Sequence, residues 1–230
     1  MIYKNDIFIG MFVYTFENIN NIKDLKHSDS MHPKHEKKIK KIKDGIFGKF
    51  DYSDFKEKLP PKNESLQTYN ELKMLKTLPE DADFVKAKDD IPEVFEKVCK
   101  RNGIEFPKEM VDKILKGSTG IILDLKYHFN RPRPGQLAKE YNMKLAEVIL
   151  SSMKTPSYPS GHSTQGYLIG HYLSEKFDNP KLANEFMAEA KAISDSRNIG
   201  RAHYPSDSKF GIELGKKMFR YIKSDIEKKL

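Results

Sequence analysis

Leu182, Phe186, Ala190 and Ile193 follow one another at steps of four, four and three residues, the spacing that lays apolar side chains along one face of a helix. The same period runs through most of the chain. Leu66, Tyr69, Leu72, Met74 and Leu75 predict a helix that Pro79 ends. Further amphipathic stretches cover about 90–102, 108–116, 118–130, 136–150, 162–177, 181–197 and 206–227. Alternating strand patterns are scarce, and neither an internal repeat nor a low-complexity tract interrupts the series. The pattern predicts an all-α protein, with a helical domain over 61–230 and an irregular N-terminal extension over 1–60.

Composition narrows the class. A chain of 230 residues can bury a core without disulfide or metal staples, and 14 Phe with 11 Tyr argue against disorder. Cys99 is the only cysteine, which excludes a disulfide scaffold. Charged residues make up 32% and the mean hydropathy is −0.67. No apolar run approaches the ~20 residues of a membrane-spanning helix. The stretch Ile7 to Tyr14 follows Asp6 and lacks a small-residue cleavage site, so it makes a poor signal peptide. The expectation is a soluble cytoplasmic protein.

The net charge of +8 favours anionic partners without choosing among phosphorylated metabolites, nucleic acids and acidic membranes. Lys34, Lys37, Lys38, Lys40, Lys41 and Lys43 crowd one stretch of the extension. That stretch reads either as a solvated helix or as a patch for contact with an anionic surface. His27, His32 and His35 lie nearby, but no cysteine joins them, and no metal site is expected there.

Three clusters combine cations, small residues and histidines. In the first, Lys126 precedes Arg131-Pro132-Arg133-Pro134 near the end of a helical stretch. The prolines stop the helix and stiffen the exit, and arginine offers a planar fork for phosphate oxygens. The second is Pro159-Ser160-Gly161-His162 at the start of an apolar helix, whose free N–H groups and dipole suit an anion. In the third, Ser196-Arg197 precedes His203, Pro205 and Asp207. Pro205 can open a helix that lets Asp207 reach back to His203 and fix its tautomer. Each cluster also has a plain reading: basic residues capping a helix end, a serine N-cap, or a chance His–Asp pair.

Together, and in this order, the clusters resemble the three-part signature of the type 2 phosphatidic acid phosphatase superfamily, which also holds the vanadium-dependent haloperoxidases. The resemblance covers Lys126 to Asp207, roughly a third of the chain. Leu59-Pro60-Pro61, followed by Ser65 and Tyr69, more weakly resembles the entry segment of the soluble class A acid phosphatases.

The resemblance implies a single helical bundle of the acid phosphatase and haloperoxidase type. It implies that Lys126, Arg133 and Arg197 bind the phosphate oxygens, with Ser160 and Gly161 completing the cradle. His203 would be the nucleophile that forms a phosphohistidine, Asp207 its orienting partner, and His162 the general acid. Spacing favours Arg133 over Arg131 as the phosphate ligand. The expected activity is a metal-independent, vanadate-inhibited phosphomonoesterase of acid phosphatase type, acting on a small phosphorylated substrate without a cofactor.

Two alternatives stay open. One is a vanadium haloperoxidase, in which vanadate occupies the same cradle. The other is a basic protein that binds nucleic acid or acidic lipid through Lys34–Lys43. A homo-oligomer is compatible with the sequence.

Overall fold

The computed structural model describes the backbone of residues 6–9, 12–15 and 21–227, and the side chains of residues 21–224. The remaining parts of the expected N-terminal extension, at 1–5, 10–11 and 16–20, lie outside the described residues. The chain is α-helical, as its periodicity predicts, with one addition. Strands β1 (Asp6–Ile9) and β2 (Phe12–Thr15) pair antiparallel, with Ile7 opposite Tyr14 and Phe8 opposite Val13. Both strands are rich in the β-branched and aromatic residues that suit a pleated ribbon.

The helices are α1 (Pro33–Lys40), α2 (Ser53–Lys56), α3 (Leu66–Thr77), α4 (Ala82–Ala87), α5 (Ile91–Arg101), α6 (Lys108–Phe129), α7 (Pro134–Glu140), α8 (Gly161–Phe177), α9 (Pro180–Ile199) and α10 (Pro205–Glu227). Most begin on a side-chain cap. Ser65, Asp81, Asp90, Ser160 and Asn179 each accept a backbone N–H of the first turn. Prolines near the starts of α1, α5, α7 and α9 take positions whose N–H has no helical partner.

Helix α8 lies at the centre, packed along α9 on one side and α10 on the other, with α6 also against it. Small residues set how closely these helices approach. A Cβ on Gly170 would lie 3.0 Å from Ala190 Cβ, and one on Gly215 would lie 2.4 Å from the Thr164 carbonyl oxygen. Phe95, Leu168, Leu173, Phe186, Ile193 and Leu214 fill the main core. Phe47, Phe50 and Phe55 belong to that same core, so the packing crosses the expected boundary at residue 60.

Two helix boundaries differ from the periodicity. The stretches 108–116 and 118–130 form one continuous α6, because Gly117 serves packing: a Cβ there would lie 3.1 Å from the Phe47 ring. The stretch predicted as helix over 136–150 stops at Glu140. Asn142 takes a left-handed φ of 52°, and the following strand-like segment donates Val148 N–H to Gly200 O at 3.1 Å.

Candidate active site

Helix α6 ends where Asn130 turns left-handed, at φ 49°, and returns its N–H to Lys126 O at 2.8 Å. Pro132 and Pro134 then hold the exit extended, and Arg131 and Arg133 enter the interior from opposite ends of that short run. Both arginines are buried, and each has a different task.

Arg133 is spread over the loop before α8. Its Nε donates to Thr155 O at 2.8 Å, Nη2 to Ser152 O at 2.9 Å, and Nη1 to Ala202 O at 2.7 Å. The same Nη1 lies 2.9 Å from His203 Nε2. Burial pulls the Arg133 guanidinium down to about 10. Arg131 instead stands behind Asp207, donating Nη1 to Oδ1 at 2.6 Å. It also reaches Glu71 at 3.3 Å, and its guanidinium lies 3.8 Å from the Tyr204 ring centroid.

His203 sits in the tight connection between α9 and α10. Arg201, with φ 56°, makes the turn, and Ala202 and His203 both donate their N–H to Arg197 O. Pro205 opens α10 and puts Asp207 one turn from His203. Asp207 Oδ2 accepts His203 Nδ1–H at 3.1 Å, Tyr204 N–H at 3.0 Å and the Ser157 hydroxyl. Burial opposes ionisation of Asp207, but Arg131 and the hydrogen-bond donors outweigh it and hold the carboxyl far below the usual range.

With Nδ1–H given to Asp207, the lone pair of His203 is on Nε2, the atom that Arg133 meets. Burial and the charge of Arg133 hold the imidazole well below its usual value, so it is neutral at pH 7. Lys126 is buried beside this pair. Its Nζ donates to Pro156 O at 2.6 Å and Ser157 O at 3.3 Å, and burial pulls it well below the usual lysine range.

On the other side, His162 lies in the first turn of α8. Its Nε2 is 3.0 Å from Asp89 O and 3.2 Å from Asp89 Oδ1. Asp89 Oδ1 also accepts Arg197 Nη1 at 2.7 Å, and these partners hold its carboxyl at about 2. Burial lowers His162, against the pull of Asp89 upward. Arg197 is fully buried, with Nη2 on Val85 O at 3.0 Å and Nε on Ser196 Oγ at 3.0 Å.

A cavity of about 460 Å³ brings the first group to one wall: Lys126, Arg133, Gly161, His162 and His203 all line it. Asp207 stands behind His203. Ser160 and Arg197 are set back from the lining residues. Ser160 Oγ caps α8 by accepting Ser163 N–H at 3.2 Å and the Ser163 hydroxyl at 2.9 Å. Leu59, Pro60 and Pro61 line other cavities on the far side of Asp207's helix and the α6 exit.

His27, His32 and His35 are spent on local contacts. They meet Gln136 Oε1 at 2.9 Å, the Lys34 N–H at 3.1 Å and the Tyr127 hydroxyl at 2.8 Å respectively. No group of three or more His, Cys, Asp or Glu side chains is gathered as a metal site among the described residues. No helix among them is long and apolar enough to cross a membrane.

The sequence model of the PAP2 superfamily matches residues 114–228, half of the chain, from within α6 to the end of α10, and so includes Lys126, Arg133, Gly161, His162 and His203. The chain belongs to the PAP2 superfamily. Membership places it with enzymes of phosphatase or haloperoxidase type. No curated protein matches the chain. Among solved structures, that of a bacterial vanadium-dependent iodoperoxidase is similar at 16% identity, with a TM-score of 0.44. The alignment covers 90% of this chain and 53% of that one, so the PAP2 chain spans about half the length of that protein.

Asp89 lies outside the PAP2 match, and spacing gives no sign of it. It stands 73 residues before His162, next to Asp90, whose N-capping of α5 is the only role its neighbourhood advertises.

Proposed function

We propose that this protein is a phosphomonoesterase that works through a phosphohistidine on His203 and needs no metal. The observation that carries the reading is the placement of His203. Asp207 takes its Nδ1–H at 3.1 Å, Arg133 meets its Nε2 at 2.9 Å, and the ring lines the cavity. A neutral imidazole held by an orienting carboxylate becomes a nucleophile when an entering phosphoryl group takes the Arg133 N–H from its Nε2 lone pair.

Lys126, Arg133 and the N-terminus of α8 at Gly161 supply positive charge around the point where a phosphoryl group meets Nε2. Such a transfer asks mainly for positioning and charge neutralisation. The bond from Nε2 to phosphorus forms as the bond to the ester oxygen breaks, and His162 gives that oxygen a proton. His162, now neutral, takes a proton from water. The hydroxide attacks phosphorus and the P–N bond breaks, which frees phosphate and restores His203. Because Asp89 holds Nε2 of His162, Nδ1 is the nitrogen assigned to this proton traffic.

A dianion entering beside Lys126 favours the charged form of that lysine, against the burial that lowers it. Vanadate asks for the same donors as phosphate, and Lys126, Arg133 and His203 would hold it. It is therefore expected to compete with substrate.

The test is phosphate release from p-nitrophenyl phosphate by the purified protein in excess EDTA, with and without added vanadate. Turnover that persists in EDTA and falls with vanadate supports the reading. Activity lost in EDTA and restored by Mg²⁺ or Zn²⁺ overturns metal independence. Halide oxidation requiring vanadate and peroxide, without phosphate release, overturns the phosphatase reading.

A further inference from the structure

The lysine-rich run of the N-terminal segment is not a remote arm. Helix α1 packs against α6, and four of its residues or capping neighbours, His32, Lys34, His35 and Lys38, line the same cavity as His162 and His203. Lys34 and Lys38 are four apart and so share one helix face, whereas Lys37 and Lys40 project elsewhere. Lys154, from the turn that also positions Arg133, completes this outer wall. Lys34, Lys38 and Lys154 are exposed, and no carboxylate is among the described residues that line the cavity.

The cavity has two charged walls with different characters. The inner wall holds buried Lys126, Arg133 and His203, and the outer wall holds three solvated lysines. A volume of about 460 Å³ falls in the range of pockets for whole small molecules and exceeds what one phosphoryl group needs. Positive charge continues beyond it. A neighbouring groove of about 810 Å³ shares Lys38 and Thr119 with the cavity and adds Lys41, Lys113 and Lys116.

We propose that Lys34, Lys38 and Lys154 form a distal anion subsite, and that the substrate is a small molecule carrying a second phosphate group away from the one transferred to His203. This rests on the phosphatase reading of the inner wall, and it assigns the outer wall to substrate selection. The distal phosphate is held by solvated ammonium groups, which recognise charge without demanding one geometry. The subsite therefore selects doubly phosphorylated compounds as a class.

The test separates binding from turnover. Calorimetric titration of His203→Ala with fructose 1,6-bisphosphate and with fructose 6-phosphate compares two sugars that differ by the second phosphate. The expected result is roughly tenfold or tighter binding of the bisphosphate. That preference should collapse in a variant that adds Lys34→Ala, Lys38→Ala and Lys154→Ala, whose exposed positions leave the fold intact by circular dichroism. In the enzyme with His203 intact, the same three substitutions should lower the ratio of kcat/KM for the bisphosphate over the monophosphate at least tenfold. Equal affinity for the two sugars, including no binding of either, overturns the subsite, as does a preference that survives the triple substitution. Absence of turnover with normal binding preference would count against the phosphatase reading alone.

Discussion

Two of the histidines that line the cavity, His162 and His203, are gripped in the same way: by an aspartate that also grips an arginine. His203 leans on Asp207 and Arg131, and His162 leans on Asp89 and Arg197. The surroundings differ sharply. Asp207 has no exposed surface and accepts four donors, whereas the Asp89 side chain is 37% exposed and joins the site from a loop. A sealed carboxylate fixes one tautomer and one ring orientation, which suits an attacking atom. A half-open one holds its histidine while leaving it to exchange protons with the cavity, which suits an acid that must become a base. On the proposed reading the same three residue types would serve two tasks, according to burial.

The comparison breaks most violently at Asp207. Asp207→Asn should lower kcat by up to about 10⁴-fold, because an amide no longer dictates which imidazole nitrogen keeps its proton. It also removes the charge paired with buried Arg131 at 2.6 Å and leaves Glu71 as its carboxylate partner, a loss that a lower thermal midpoint would register. A variant with wild-type rate and midpoint would show that Asp207 neither orients His203 nor anchors Arg131.

His162→Ala comes next. General-acid help is worth about 10²–10⁴-fold where the leaving group needs a proton. The loss should therefore be large for sugar phosphates and small for p-nitrophenyl phosphate, whose phenolate departs unaided. Equal losses on both substrates, measured side by side, would remove His162 from the acid role.

The smallest expected effect is at Asp89, and it appears in the pH profile. His203 must be neutral and His162 protonated. Burial lowers both, so both limbs of the bell in kcat/KM should lie to the acid side of ordinary histidine, with the optimum below about pH 6.5. Asp89 raises His162. Asp89→Asn should therefore move the basic limb to still lower pH, with some loss of stability because Arg197 is buried and loses its carboxylate. A basic limb that stays in place would detach Asp89 from the proton donor.

What the sequence discloses follows the same division. The Asp207–His203 pair is legible because it spans four residues with Pro205 between them to start the helix, so local geometry alone brings the two together. The long helices are legible through their caps and their apolar period. Asp89 is invisible because its partnership with His162 depends on the packing of α5 against α8 across 73 residues of chain. Spacing singles out Arg133, which lines the cavity with His203, but the work of Arg131 behind Asp207 shows only once Glu71 and Tyr204 are in place around it. Ser160 and Arg197 carry the right chemistry for a cradle, yet a cap and an ion pair occupy their polar atoms. The lysine run is legible as positive charge, and only the docking of α1 on α6 shows that Lys34 and Lys38 line this cavity.

On the proposed reading His203 carries the phosphoryl group and His162 only moves protons. Rapid-quench labelling with a radioactive aryl phosphate tests it directly, applied in parallel to His203→Ala and His162→Ala. The account predicts acid-labile, base-stable label on His162→Ala, where transfer to His203 still occurs and hydrolysis of the intermediate is slowed, and none on His203→Ala. Label retained by His203→Ala and absent from His162→Ala would contradict it and exchange the two roles.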